Sequence, residues 1–115
     1  VGDWVGPCAF SSLASRSDWL ETDAAVGFIR AFRAARQWVN QTPALDVANS
    51  EISYFPDVSL EALTEAIAAY QALGCWSGQV EIVPDEIAVS VEVFRLGGAI
   101  TGDIDPLFVA VRPPG

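Results

Sequence analysis

The sequence contains no histidine, no lysine and no methionine, and these absences narrow the chemistry that the chain can perform. Without histidine there is no Ser-His-Asp or Cys-His catalytic group and no imidazole ligand for a metal. Without lysine there is no Schiff base and no phosphate-binding lysine of the Walker type. We therefore expect a protein that is not an enzyme and that holds neither a metal nor a cofactor.

Positive charge is also scarce, because six arginines stand against 15 acidic residues for a formal net charge of −9. Nucleic-acid binding needs a basic surface that displaces counterions, and an anionic membrane would repel this chain. No apolar run approaches the roughly 20 residues that span a bilayer. The sequence thus predicts no nucleic-acid partner and no direct membrane insertion, and the acidity is interpreted as a source of solubility.

The two cysteines, Cys8 and Cys75, lack the spacing of a metal-binding motif. The sequence leaves open whether they pair, and two separate thiols, buried or semi-buried, are the simpler interpretation. At 115 residues and 51% hydrophobic content the chain has room for one domain with a core. Position 1 is Val1 rather than methionine, so we expect a processed chain or part of a longer one.

Helical signals are strongest in the first half of the chain. Thr22 can cap a helix over about 23–40, which must end before Pro43. Its apolar residues recur every three or four positions: Ala25, Phe28, Ile29, Phe32, Ala35 and Val39. The arginines of this helix, Arg30, Arg33 and Arg36, could bind an anion, but we interpret them as a solvated surface.

After Pro43 a short helical turn is predicted over 44–48, followed by a helix that begins near Asp57 or Ser59 and ends at Gly74. That helix is expected to bury four residues: Leu60, Leu63, Ile67 and Tyr70. Residues 84–96 are ambiguous, since Pro84 and two acids open a helix whereas alternating β-branched residues favour a strand slightly. A strand is also predicted over about 8–15.

Three stretches of the sequence follow one another in an order typical of a known family. They are GPCAFSSLASRSDWLETDAAVGFIRAFRAARQWV, YFPDVSLEALTEAIAAYQALGCW and IVPDEIAVSVEVFRLGGAI. Together they resemble the last part of the substrate-binding proteins of bacterial ABC importers, in the branch for thiamine-pyrimidine precursors, aliphatic sulfonates and nitrate. The resemblance favours a helix for 84–96.

The resemblance implies an α/β fold: the mostly helical C-terminal segment of a two-lobed, periplasmic-binding-protein-like (type II) fold, with three main helices and a short strand near the N-terminus. On this interpretation residues 1–20 form a lobe-crossing strand and turn. Residues 21–110 complete the first lobe with helices, and residues 111–115 are a disordered tail. The protein is then expected to be periplasmic or extracellular, or lipid-anchored through upstream sequence.

The implied function is that of a solute-binding component of an importer, which closes on a small organic molecule and docks on a membrane permease. Four residues near the crossing strand are the candidate ligand-binding residues: Trp4, Phe10, Ser11 and Ser12. Core or hinge packing is an equally good interpretation of them. The alternative function is a self-standing helical interaction module without ligand binding. A third hypothesis is an enzyme, because a fungal pyrimidine synthase resembles the same family. That synthase relies on histidine and lysine, and this chain has neither, so an enzyme is not expected.

Overall fold

The computed structural model describes residues 8–9, 11–76, 80–105 and 112–115. All regular secondary structure in these residues is helical. The elements are α1 (Ser17–Leu20), α2 (Asp23–Gln41), α3 (Ala44–Glu51), a 3-10 turn (Ile52–Tyr54), α4 (Leu60–Ala72) and α5 (Pro84–Leu96). The chain divides into two compact units: a first unit of Val1–Ile29 with Val80–Gly115, and a second unit of Arg30–Gln79.

The predicted α/β fold is wrong, since the described residues form no strand and no sheet. Where a strand was expected over 8–15, residues 11–15 are exposed and have no regular structure. The backbone N–H of Ala9 donates to the carbonyl of Glu86 (3.2 Å), and the Ala9 carbonyl accepts from Oγ of Ser90 (3.0 Å). Ala9 therefore bonds to a helix, and a strand needs a second strand to form a ladder.

Helix α5 resolves the ambiguity over 84–96 in favour of a helix. Pro84 occupies its first turn, where a missing N–H does no harm, and two acids follow next to the positive end of the helix dipole. Ile87 and Ser90, three positions apart, are buried on one face. The end signals and this three-residue spacing outweigh the strand preference of the valines, because β propensity depends on a sheet to pack in.

Helices α4 and α5 end in the same way, with a glycine in the left-handed conformation. Gly74 has φ 70° and Gly98 has φ 75°. At α5 the N–H of Ala99 donates to the carbonyl of Phe94 (2.9 Å), and Cys75 makes the equivalent bond to Tyr70 at α4 (3.1 Å). These are Schellman motifs, and they confirm the helix stop predicted at Gly74.

The start of α2 is also as predicted. Oγ1 of Thr22 accepts a hydrogen bond from the N–H of Ala25 (3.2 Å), and the helix ends at Gln41, before Pro43. Ala25 and Ile29 of the predicted stripe are buried in the first unit, whereas Phe28 is half exposed. The ring of Phe28 packs edge-on against Trp19 of α1, with 5.9 Å between ring centroids.

The second unit has a small core between α3 and α4. Val47, Ala48 and Ile67 are buried there. The partly buried residues that pack against them are Val39, Ala44, Leu63 and Trp76. Of the four α4 residues expected to be buried, Leu60 and Tyr70 remain 37% and 51% exposed, so that part of the prediction is wrong.

Candidate functional site

The predicted ligand-binding residues are only partly described by the structure. Trp4 and Phe10 lie outside the described residues, and Ser11 and Ser12 lie in the irregular segment before α1. Both serines are exposed, and a small-molecule site normally encloses most of its ligand. The ligand site formed by these four residues stays a prediction.

The described ranges contain no group of three or more Cys, Asp or Glu residues placed to hold a metal ion. They also contain no helix both long and apolar enough to cross a membrane. Cys8 and Cys75 are both free thiols, with Cys8 half-buried and Cys75 exposed.

The arginines of α2 differ from one another in their surroundings. Arg30 is exposed, as a solvated surface requires, whereas Arg33 and Arg36 are half-buried. The Arg36 guanidinium lies over the ring of Phe32, with 5.7 Å to the ring centroid. It also donates a long hydrogen bond to the carbonyl of Cys75 (3.5 Å). Arg36 thus helps to hold the loop after α4, and it is not simply a solvated cation.

Two further side chains join the end of α2 to α4 and to the loop after it. Nδ2 of Asn40 donates to the carbonyl of Trp76 (2.5 Å). Nε2 of Gln71 donates to the carbonyls of Val39 (2.6 Å) and Thr42 (2.9 Å), which lie at and just beyond the end of α2, where helical carbonyls lack partners. The second unit is therefore held by side-chain bonds to backbone groups as well as by its small core.

The second unit also carries an exposed apolar segment, residues 54–60, in which four of the seven residues are large and apolar. Every residue from 53 to 62 is exposed. Tyr54 is 77% exposed, Phe55 43%, Val58 39% and Leu60 37%. Scattered apolar side chains are ordinary on protein surfaces, but a concentration of large ones marks an interaction site.

The exposed apolar segment has a well-defined backbone. The N–H of Phe55 donates to the carbonyl of Ile52 (3.0 Å), and the N–H of Val58 donates to the carbonyl of Phe55 (3.1 Å). Oγ of Ser59 then accepts from the N–H of Ala62 (3.1 Å) and caps α4. Consecutive turns and a helix cap therefore fix the segment between α3 and α4, which pack on each other.

The part of the sequence that contains this segment is acidic and has no basic residues. No basic residue lies between Arg36 and Arg95. Nine of the 15 acidic residues fall in that stretch, while the other six are matched by the six arginines. The whole net charge of −9 therefore arises between these two arginines. Glu51, Asp57 and Glu61 lie beside or within the exposed apolar segment.

A perturbed ionisation is found at the start of α1, in the first unit. Arg16 donates to both carboxylate oxygens of Asp18, at 3.0 and 2.6 Å. This bond lowers the pKa of Asp18 and raises the pKa of Arg16. Both side chains are largely solvent-exposed, where water and salt screen an ion pair, so we assign it a local structural role.

The chain was also compared with known proteins. The search found no match among protein-family models, curated proteins or solved structures. The resemblance to importer substrate-binding proteins therefore stays a prediction.

Proposed function

We propose that this chain is a helical protein-interaction module, a small scaffold that presents an apolar surface to another protein. The observation that carries the proposal is the exposed apolar segment, which includes Tyr54 at 77% exposure on a hydrogen-bonded backbone. Exposed apolar clusters of this kind lower their free energy when a partner removes them from water. Tyrosine is also among the residues that dominate binding energy at interfaces.

The polar side chains of the second unit support the same assignment. Gln71, Asn40 and Arg36 direct their donors to backbone carbonyls of their own unit. They hold the helices of the second unit and the loop after α4 together. A rigid scaffold of this kind reduces the loss of conformational entropy on docking.

The experiment is a selection of random peptides on phage against the immobilised, folded chain. We expect peptides of convergent sequence that bind the folded chain and lose binding after urea unfolding. The matched control is the same selection against the chain kept unfolded. Enrichment of nothing beyond that control would refute an interaction module.

A second candidate is the helical part of a solute-binding component of an ABC importer, outside the cytoplasm, with a small organic ligand and a membrane permease as partners. The observation in its favour is that α5 is helical where alternation favours a strand, and that helices end at Gly74 and Gly98 as the resemblance implies. The test is the intact mass of the natural protein in the exported fraction. A mass well above 12.3 kDa supports this candidate, and a mass near that value counts against it.

A further inference from the structure

We propose that the exposed apolar segment, residues 54–60, is the docking surface of this module, and that its partner is a protein with an apolar groove rimmed by lysine or arginine. The inference rests on the proposed interaction function and deepens it by assigning the surface and the chemistry of the partner. Three properties of the segment carry it: its aromatic side chains, its fixed backbone and the charge around it.

The aromatic side chains supply the apolar contact. Tyr54 and Phe55 are adjacent and 77% and 43% exposed, and Val58 and Leu60 continue the apolar surface along the chain. Large aromatic rings bury much area with few rotatable bonds, which makes them effective anchors in a partner's pocket. The partner must therefore offer a concave apolar surface to receive them.

The fixed backbone makes docking favourable. The turns at Phe55 and Val58 and the cap at Ser59 already hold the segment in place. Binding therefore needs little further ordering of the main chain, and more of the interaction energy appears as affinity.

The negative charge near the segment indicates which residues rim the partner's groove. Glu51, Asp57 and Glu61 lie within the segment or close to it in the sequence. No arginine or lysine occurs between Arg36 and Arg95. A partner with acidic residues at its rim would be repelled, whereas lysine or arginine there would speed association and favour the correct partner. The same charge disfavours an anionic membrane as the surface that covers the segment.

A second copy of this chain is a weaker fit, because it offers few available cations. Arg16 is bonded to Asp18 at 2.6 Å, and Arg36 contacts the carbonyl of Cys75. Arg95 is 2.8 Å from Glu92 and 3.7 Å from Asp103. At least half of the arginines are thus already engaged within their own chain, which favours a different protein as the partner.

The test uses the most enriched phage peptide, synthesised with a fluorescent label, and the double variant Tyr54→Ser/Phe55→Ser. The peptide reproduces the chemistry of the partner's groove and not its shape, so we expect it to carry lysine or arginine around apolar residues. It should bind the variant at least about tenfold more weakly than the wild type. Raising NaCl from about 0.05 M to about 0.5 M should also weaken binding to the wild type, since salt screens the charges.

The matched control is Leu73→Ser. Leu73 is 75% exposed and lies at the other end of α4, about 20 Å from Leu60 along the helix axis. This variant should bind the peptide as the wild type does. Circular dichroism and the urea midpoint should show that both variants are folded, as expected for exposed positions.

Each other outcome overturns the inference in a recognisable way. Peptides that bind the double variant as tightly as the wild type would leave the interaction module standing but place its surface elsewhere. Peptides without basic residues would refute the assigned partner chemistry. Binding of the wild type to phosphatidylcholine vesicles, lost in the double variant, would identify a membrane as the occupant. Concentration-dependent dimers abolished by the double variant would identify a second copy.

Discussion

Replacing Gln71 by methionine should remove two hydrogen bonds while keeping the length of the side chain. Nε2 of Gln71 donates to the carbonyl of Val39 at 2.6 Å and to that of Thr42 at 2.9 Å. Both bonds are partly buried. The Val39 carbonyl belongs to the last turn of α2, where the helix provides no N–H that could donate to it. Methionine fills a similar volume but has no donor, so the change tests the bonds more than the packing.

The expected loss is about 2 kcal/mol, from two bonds that are each worth about 1 kcal/mol net in folded proteins. This is a large fraction of the 5 to 15 kcal/mol, roughly, by which native domains are stable. With a urea slope of about 2 kcal/mol per molar, the unfolding midpoint should fall by about 1 M. Gln71→Glu should be less stable still at neutral pH, since a carboxylate would face two carbonyl oxygens.

The assay is urea unfolding followed by tryptophan fluorescence, to which Trp76 in the loop after α4 contributes. The control is Gln37→Met, the same substitution at an exposed position of α2, which should change the free energy of unfolding by less than about 0.5 kcal/mol. If Gln71→Met were as stable as Gln37→Met, the two bonds would not support the second unit and the reasoning would be refuted.

Further predictions concern single local features. Ser59→Ala removes the α4 cap and should lower the free energy of unfolding by about 1 kcal/mol; an unchanged thermal midpoint would contradict this. Gly98→Ala should lower the free energy of unfolding by about 1 kcal/mol, because φ of Gly98 is +75°. Gly102 also faces open space but has no positive φ, so Gly102→Ala should be nearly neutral in the same urea assay. In an NMR titration Asp18 should show a pKa below the ordinary value of about 3.9, and Arg16→Gln should raise it. Because the pKa of Asp18 is lowered in the folded state, the pair stabilises the protein at pH values above the ordinary pKa and ceases to do so as the pH falls through the folded-state pKa. If Arg16→Gln left the pKa of Asp18 unchanged, the bond would not form in solution.

Local features of the fold were largely predictable from the sequence. The caps at Thr22 and Ser59 and the stop at Gly74 depend on residues within a few positions of one another, so the chain carries their full signal. The same is true of the end of α2 before Pro43. At α5 the local pattern was divided, and a strand would have needed a neighbouring strand that the described residues do not provide.

Features that depend on distant residues were not predictable. Leu60 and Tyr70 share the helical stripe of Ile67, but periodicity does not show how much of a stripe a neighbouring helix covers, and only Ile67 is buried. The bonds from Gln71 and Asn40 join residues about thirty or more positions apart and have no motif. The sequence predicts a helix start near Asp57 or Ser59, but not that residues 54–60 stay exposed, although the absence of basic residues around them is visible in the sequence.

The charge pattern between Arg36 and Arg95 has a consequence for proteolysis. A protease that cuts only after lysine or arginine has no cleavage site in this stretch, so exposed residues 53–62 resist it even in the unfolded chain. A protease that cuts after aromatic residues instead meets Tyr54 at the surface of the folded protein, whereas Pro56 protects the bond that follows Phe55. The segment that presents aromatic side chains to a partner is thus also the place where such a protease would nick the unbound chain, and occupancy by the partner would protect it.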